Sequence, residues 1–125
     1  YNEILDVGSG WRWTERHTLD TSKGRVVFAH QFCKDIAKAC RETSMSCVQG
    51  HFHTVSEVKY VGNDFHLNWG MTLGCLVDKK SLAMAYMKVN LAKPILSCGV
   101  ITHGVPYLVP MVLKSNGSWD NNIYL

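Results

Sequence analysis

The sequence predicts an α+β fold in which one βαβ crossover is followed by antiparallel β-hairpins. Two observations carry this. Two short apolar runs, Arg25-Val26-Val27-Phe28-Ala29 and Ser46-Cys47-Val48-Gln49, flank a segment with helical spacing. Beyond Gly50 the pattern changes to alternating strands separated by turn residues.

The first run is short, β-branched and uninterrupted by charge after Arg25, as expected of a strand buried on both faces. From Gln31 to Thr43, Phe32, Cys33, Ile36, Ala37 and Cys40 recur on one side, while Lys34, Asp35, Lys38, Arg41 and Glu42 fill the other. That is an amphipathic helix. Ser46–Gln49 then reads as a second buried strand, parallel to the first and reached by a right-handed crossover. Val55 to Val61 alternates, Gly62-Asn63-Asp64 makes a turn, and Phe65 to Trp69 returns as a strand. Met71 to Val77 is a further apolar run. Ser81 to Met87 fits a short helix or a strand equally well. Pro94 breaks the chain, and Ile95–Thr102 and Pro106–Leu113 read as strands around a His103-Gly104 turn. The polar residues 114–122 suggest a loose C-terminal tail.

Composition narrows the function classes. Apolar residues make up 46% and charged residues 18%, which argues against a disordered chain. The 125 residues suffice for one domain or part of one. No apolar run reaches the ~18–20 residues that span a bilayer, so no membrane partner is expected. The first residues lack the basic start and apolar stretch of a signal peptide. Thirteen Lys and Arg against ten Asp and Glu are too evenly spread to indicate nucleic acid on their own. The five cysteines, Cys33, Cys40, Cys47, Cys75 and Cys98, form no C-x-x-C pair and sit in segments that read as core. Free buried thiols in a reducing compartment are the simplest account, with a Cys/His zinc site the weaker one.

The chemistry gathers at the strand ends. In sheets of this kind ligands collect where parallel strands finish. His30 follows the first strand, and Gly50-His51-Phe52-His53 follows the second. Three imidazoles on one rim, with a glycine in the loop, suit a divalent metal ion. His17, His66 and His103 read as exposed strand or turn residues instead. Trp11 and Trp13 flank Arg12; in a strand they would share a face and pack in the core, and stacking on a base is the less expected role.

Ala29-His30-Gln31 after a strand, then Val48-Gln49-Gly50-His51-Phe52-His53, resembles the last two motifs of the calcineurin-like metallophosphoesterases. Residues 62–63, 68–78, 83–86 and 93–100 extend the likeness to the bacteriophage-type enzymes, over roughly residues 25–113. The resemblance implies a sandwich-type domain with flanking helices, of which residues 1–125 are the C-terminal half. It implies two divalent ions of the Mn, Fe, Zn or Ni class, with His30 and His51 on one ion, His53 on the other, and Gly50 shaping the loop. It further implies hydrolysis of a phosphomonoester or phosphodiester, such as a nucleotide or nucleic acid, in the cytoplasm (the host cytoplasm for a phage-encoded protein). The family's upstream motifs, D-x-H, G-D-x-x and G-N-H-[DE], are not found before His30. No catalytic residue is therefore assigned, and the isolated chain, lacking an N-terminal partner half, is expected to be inactive. The competing expectation is a non-catalytic interaction or nucleic-acid-binding module without a full metal site.

Overall fold

The computed structural model describes residues 8–77 and 92–123. Seven strands and one helix follow in chain order among them: β1 (Arg16–Thr21), β2 (Gly24–Ala29), α1 (Ile36–Thr43), β3 (Ser46–Gln49), β4 (Ser56–Gly62), β5 (Leu67–Leu73), β6 (Ser97–Thr102) and β7 (Val105–Pro110). The first five strands form one mixed sheet in the order β1-β2-β3-β5-β4, and β6 and β7 form a separate antiparallel pair. The α+β content and the crossover agree with the sequence reading: β2 and β3 are parallel and α1 joins them. The undecided segment Ser81–Met87 lies outside the described residues.

The helix starts later than its periodicity suggests. Asp35 takes the N-cap, its side chain accepting from the Ala37 amide, and Ser44 ends the helix in a left-handed conformation with φ 55°. The Phe32 and Cys33 amides are taken by the Gln49 side chain instead of by helical carbonyls. Residues 31–34 therefore remain a loop despite their helical spacing.

The helix seals one face of the sheet, where Val27, Ile36, Ala39, Cys40 and Cys47 form a core. Val26, Val48, Trp69 and Met71 form the core on the opposite face, and Ile101 and Leu108 of the β6–β7 pair pack against it. Alternation along β2 thus sends Val27 to one layer and Val26 to the other. Gly70 is the contact point on β5. A Cβ there would lie 2.6 Å from Ile36 Cγ1 and 3.0 Å from Cys40 Sγ, so the helix approaches where β5 has no side chain. This also explains why two expected runs, Phe65–Trp69 and Met71–Val77, are one strand: Gly70 is a packing gap inside β5, not a break.

Arg16–Thr21 forms a full strand, paired antiparallel with β2. Two other expectations, for the tryptophans and for Cys98, need correction. Trp11 and Trp13 do not pack in a core; they are 64% and 50% exposed, in a stretch before β1 that is not strand. Cys98 is exposed on β6, although Cys40 and Cys47 are buried as expected. Residues 114–122 turn back on themselves: Lys114 N–H donates to the Ser118 carbonyl at 2.8 Å, and Leu113 bridges Trp119.

Asp35 also gathers charge, with Lys59 Nζ at 3.1 Å and Arg41 at 3.5 Å. The Lys59 hydrogen bond, with the Ala37 amide and Arg41, holds its carboxyl below the usual carboxylate value. A depressed carboxyl adds stability at neutral pH that is lost as pH falls through its titration range. Asp35→Asn, which still caps, should therefore unfold at lower urea than the native chain at pH 7, with the gap closing below about pH 4; Asp35→Ala should fall further, having lost the cap as well. Gly70→Ala should cost about 1–3 kcal/mol by overpacking, read as a lower urea midpoint.

Candidate functional site

The parallel register of β2 and β3 builds the site. Ala29 is opposite Gln49, so both strands end level. The Gly50 amide donates to the His30 carbonyl at 3.1 Å, adding one further rung. His30 and His51 therefore emerge side by side on the same rim. His30 Nε2 lies 3.0 Å from His51 Nδ1, and the rings meet edge to face with centroids 5.0 Å apart. Both side chains are exposed.

His51 takes a left-handed conformation, φ 61°. Such a φ is uncommon for a residue other than glycine, with asparagine, aspartate and histidine adopting it more often than the rest. The tight turn expected at Gly50 thus falls one residue later; a Cβ at Gly50 would meet only the His30 carbonyl oxygen, at an ordinary 3.8 Å. The loop beyond is closely wound: Phe52 N–H donates to the Gly50 carbonyl at 2.7 Å and His53 N–H to the His51 carbonyl at 3.0 Å. The His53 carbonyl accepts from Ile95 N–H at 2.8 Å, which ties this loop to the approach to β6. The Phe52 ring stands against the His51 ring at 5.1 Å.

The separation of the two imidazole nitrogens suits two states. It is an ordinary N–H···N hydrogen bond when one ring donates. It is also close to the spacing of two nitrogens on one ion, since metal–nitrogen bonds of about 2.0–2.1 Å in a tetrahedral site place donors about 3.3 Å apart. The contact as it stands is the hydrogen bond, and a small separation of the rings would be needed to admit an ion between them. His53 does not complete a set: among the described residues no group of three or more His, Cys, Asp or Glu side chains is placed to hold a metal. The same result leaves no Cys/His zinc site there. Cys40 is instead a core thiol, pushed far up by its hydrogen bond with Cys47 and by burial. His66 and His103 are exposed turn residues away from the rim.

Gln49 is the residue that motif reading overlooks. It is 0% exposed. Its Oε1 accepts from the amides of Phe32 at 2.9 Å and Cys33 at 3.3 Å. Its Nε2 donates to the Cys33 carbonyl at 3.0 Å and to Thr72 Oγ1 at 3.2 Å. Three of its four hydrogen bonds fix the loop that leaves His30 and the fourth ties it to Thr72 on β5, so it positions the histidine from beneath. The available signal was a lone amide at the end of a buried apolar run. Glu15 and His17 are the other omissions. With His30, Gln49 and Gly50 they line a shallow hollow of about 270 Å³ beside the rim, because β1 runs back along β2 and places His17 opposite Phe28.

Comparison with protein-family models, with curated proteins and with solved structures finds no match to this chain. Gln49→Ala should cost about 2–4 kcal/mol, from several lost hydrogen bonds and buried amides left unpaired. It should also broaden the His30 ring resonances in proton NMR; unchanged stability with unchanged His30 signals would remove Gln49 from this role.

Proposed function

We propose that the chain is the C-terminal half of a metal-dependent phosphoesterase, in which His30 Nε2 and His51 Nδ1 share one divalent ion and His53 serves a second. The observation that carries this reading is the 3.0 Å approach of two imidazole nitrogens at the ends of adjacent parallel strands. The resemblance of the surrounding residues to calcineurin-like enzymes supports it. When bound, the ions would supply Lewis acidity toward the phosphate oxygens and lower the pKa of an attacking water.

The chain's own residues would hold and orient. His30 and His51 offer neutral nitrogens, and Gln49 limits the motion of the loop between His30 and α1. The exposed rim leaves room for a phosphomonoester or phosphodiester. In this proposal the carboxylates that offset the charge of two ions come from the N-terminal half that the family resemblance implies. Five free cysteines suit a reducing cytoplasm. No helix of the described residues is long and apolar enough to cross a membrane.

Calorimetric titration of the chain with Zn²⁺ should show one site that His30→Ala and His51→Ala each weaken about tenfold or more, while His66→Ala leaves it intact. The protein together with its upstream sequence should hydrolyse p-nitrophenyl phosphate or its bis ester with Mn²⁺, and His51→Ala should abolish turnover. Native-like turnover in that variant would overturn the assignment; ion binding without any turnover would favour a non-catalytic module.

A further inference from the structure

The other end of the five-stranded sheet carries a second feature. A hollow of about 810 Å³ opens where β2 and β3 begin, β4 ends and β5 starts, with the β6–β7 turn at its side. Its size lies within the roughly 300–1,000 Å³ usual for small-molecule sites. Because β2 and β3 are parallel, their beginnings lie at the far rim from His30 and His51, and the two sites share no residue.

Its lining combines aromatic surface with positive charge. Tyr60 and Phe65 are 58% and 86% exposed, and Leu67 beside them is 65% exposed. Large apolar side chains left open together mark contact surfaces more often than isolated ones do. Trp69, opposite Tyr60 across the β4–β5 ladder, is buried in the wall, its indole N–H donating to the Gly104 carbonyl at 3.0 Å. Lys23 and Arg25 flank the opening from the start of β2, and among the described residues no Asp or Glu lines it. Arg25 faces Asp20 at 3.7 Å, but both side chains are largely exposed, and such a pair exchanges easily for a stronger anion.

The basic side of the hollow is held in place. The β6–β7 turn butts against the β1–β2 turn: Ser22 Oγ donates to the His103 carbonyl at 3.3 Å. Gly104, with φ 76°, sits so close that a Cβ would lie 2.6 Å from Lys23 Cβ. The lysine stem thus stands against a fixed backbone.

We propose that this hollow binds a nucleotidyl group, with the base stacking on Tyr60 and Phe65 and the phosphate met by Lys23 and Arg25. Stacking on an aromatic face accepts any base, and the cations supply the phosphate contact. A second copy of the chain is a poorer occupant, because the described lining has no carboxylate to meet Lys23 and Arg25 across a two-fold contact of this patch with itself. The group could arrive as a free nucleotide or within a single strand, and both carry the same chemistry.

The test uses the full chain in EDTA, which separates it from the metal reading. Fluorescence anisotropy with fluorescein-labelled dT12 and calorimetry with AMP distinguish the two sources: tighter binding of dT12 identifies a strand, and equal or tighter binding of AMP a free nucleotide. Phe65→Ala and Tyr60→Ala should each weaken binding about fivefold or more. The double variant Lys23→Ala/Arg25→Ala should weaken it and flatten its salt dependence. Phe65 is exposed enough that its truncation should leave the circular dichroism spectrum unchanged. Failure of both probes to saturate would overturn the proposal, as would affinity unchanged in the Phe65 and Lys23/Arg25 variants. A dimer in sedimentation that Phe65→Ala dissolves would also overturn it, by showing a second copy on this surface.

Discussion

The parallel pairing of β2 with β3, held by the helix that crosses between them, is the constraint on which the rest depends. Two parallel strands cannot be joined by a tight turn, so the chain must leave the sheet, cover it and return. The return fixes which residues end level with each other. It also demands a close approach of helix and sheet, which β5 grants at Gly70, where Ile36 and Cys40 occupy the space a side chain would need. With Cys47 and Ile36 both fully buried in this layer, small volume changes should be felt throughout it.

Gln49 links this packing to the surface chemistry. A fully buried amide is costly unless every donor and acceptor is used. Here the neighbouring backbone uses them, and Thr72 on β5 takes the remaining amide hydrogen bond. The same side chain therefore ends the helix-like stretch at residues 31–34, joins β3 to β5 and steadies the segment after His30. A polar residue inside an apolar strand is thus the point where architecture and rim meet.

Much of this was legible in the sequence, for identifiable reasons. Val26, Val27, Cys47 and Val48 are buried from both sides, so their runs are short and uninterrupted. The hairpin from β4 to β5 is announced by Gly62-Asn63, and Asn63 Oδ1 accepts from the amides of Phe65 and His66. His103-Gly104 marks the β6–β7 turn through two consecutive residues with positive φ. The pairing of His30 with His51 was foreseeable from strand order alone. Other features depend on distant residues. The delayed start of α1 follows from Gln49, far along the chain. β1 is exposed along nearly its whole length, so no apolar alternation marks it, and without it Glu15 and His17 could not be placed beside the rim. The left-handed His51 was illegible because glycine stands next to it and drew the turn to itself.

The rung from the Gly50 amide to the His30 carbonyl has a consequence for how ions or other ligands would be captured. It extends the sheet to the very residues that carry the imidazoles. The two backbones are already immobilised before anything arrives, so only side-chain torsions remain to be frozen on capture. In the proposed ion site the gap between ring nitrogens would then be set by torsions on a fixed pair of backbones, so a guest is met by turning rings rather than by moving strands.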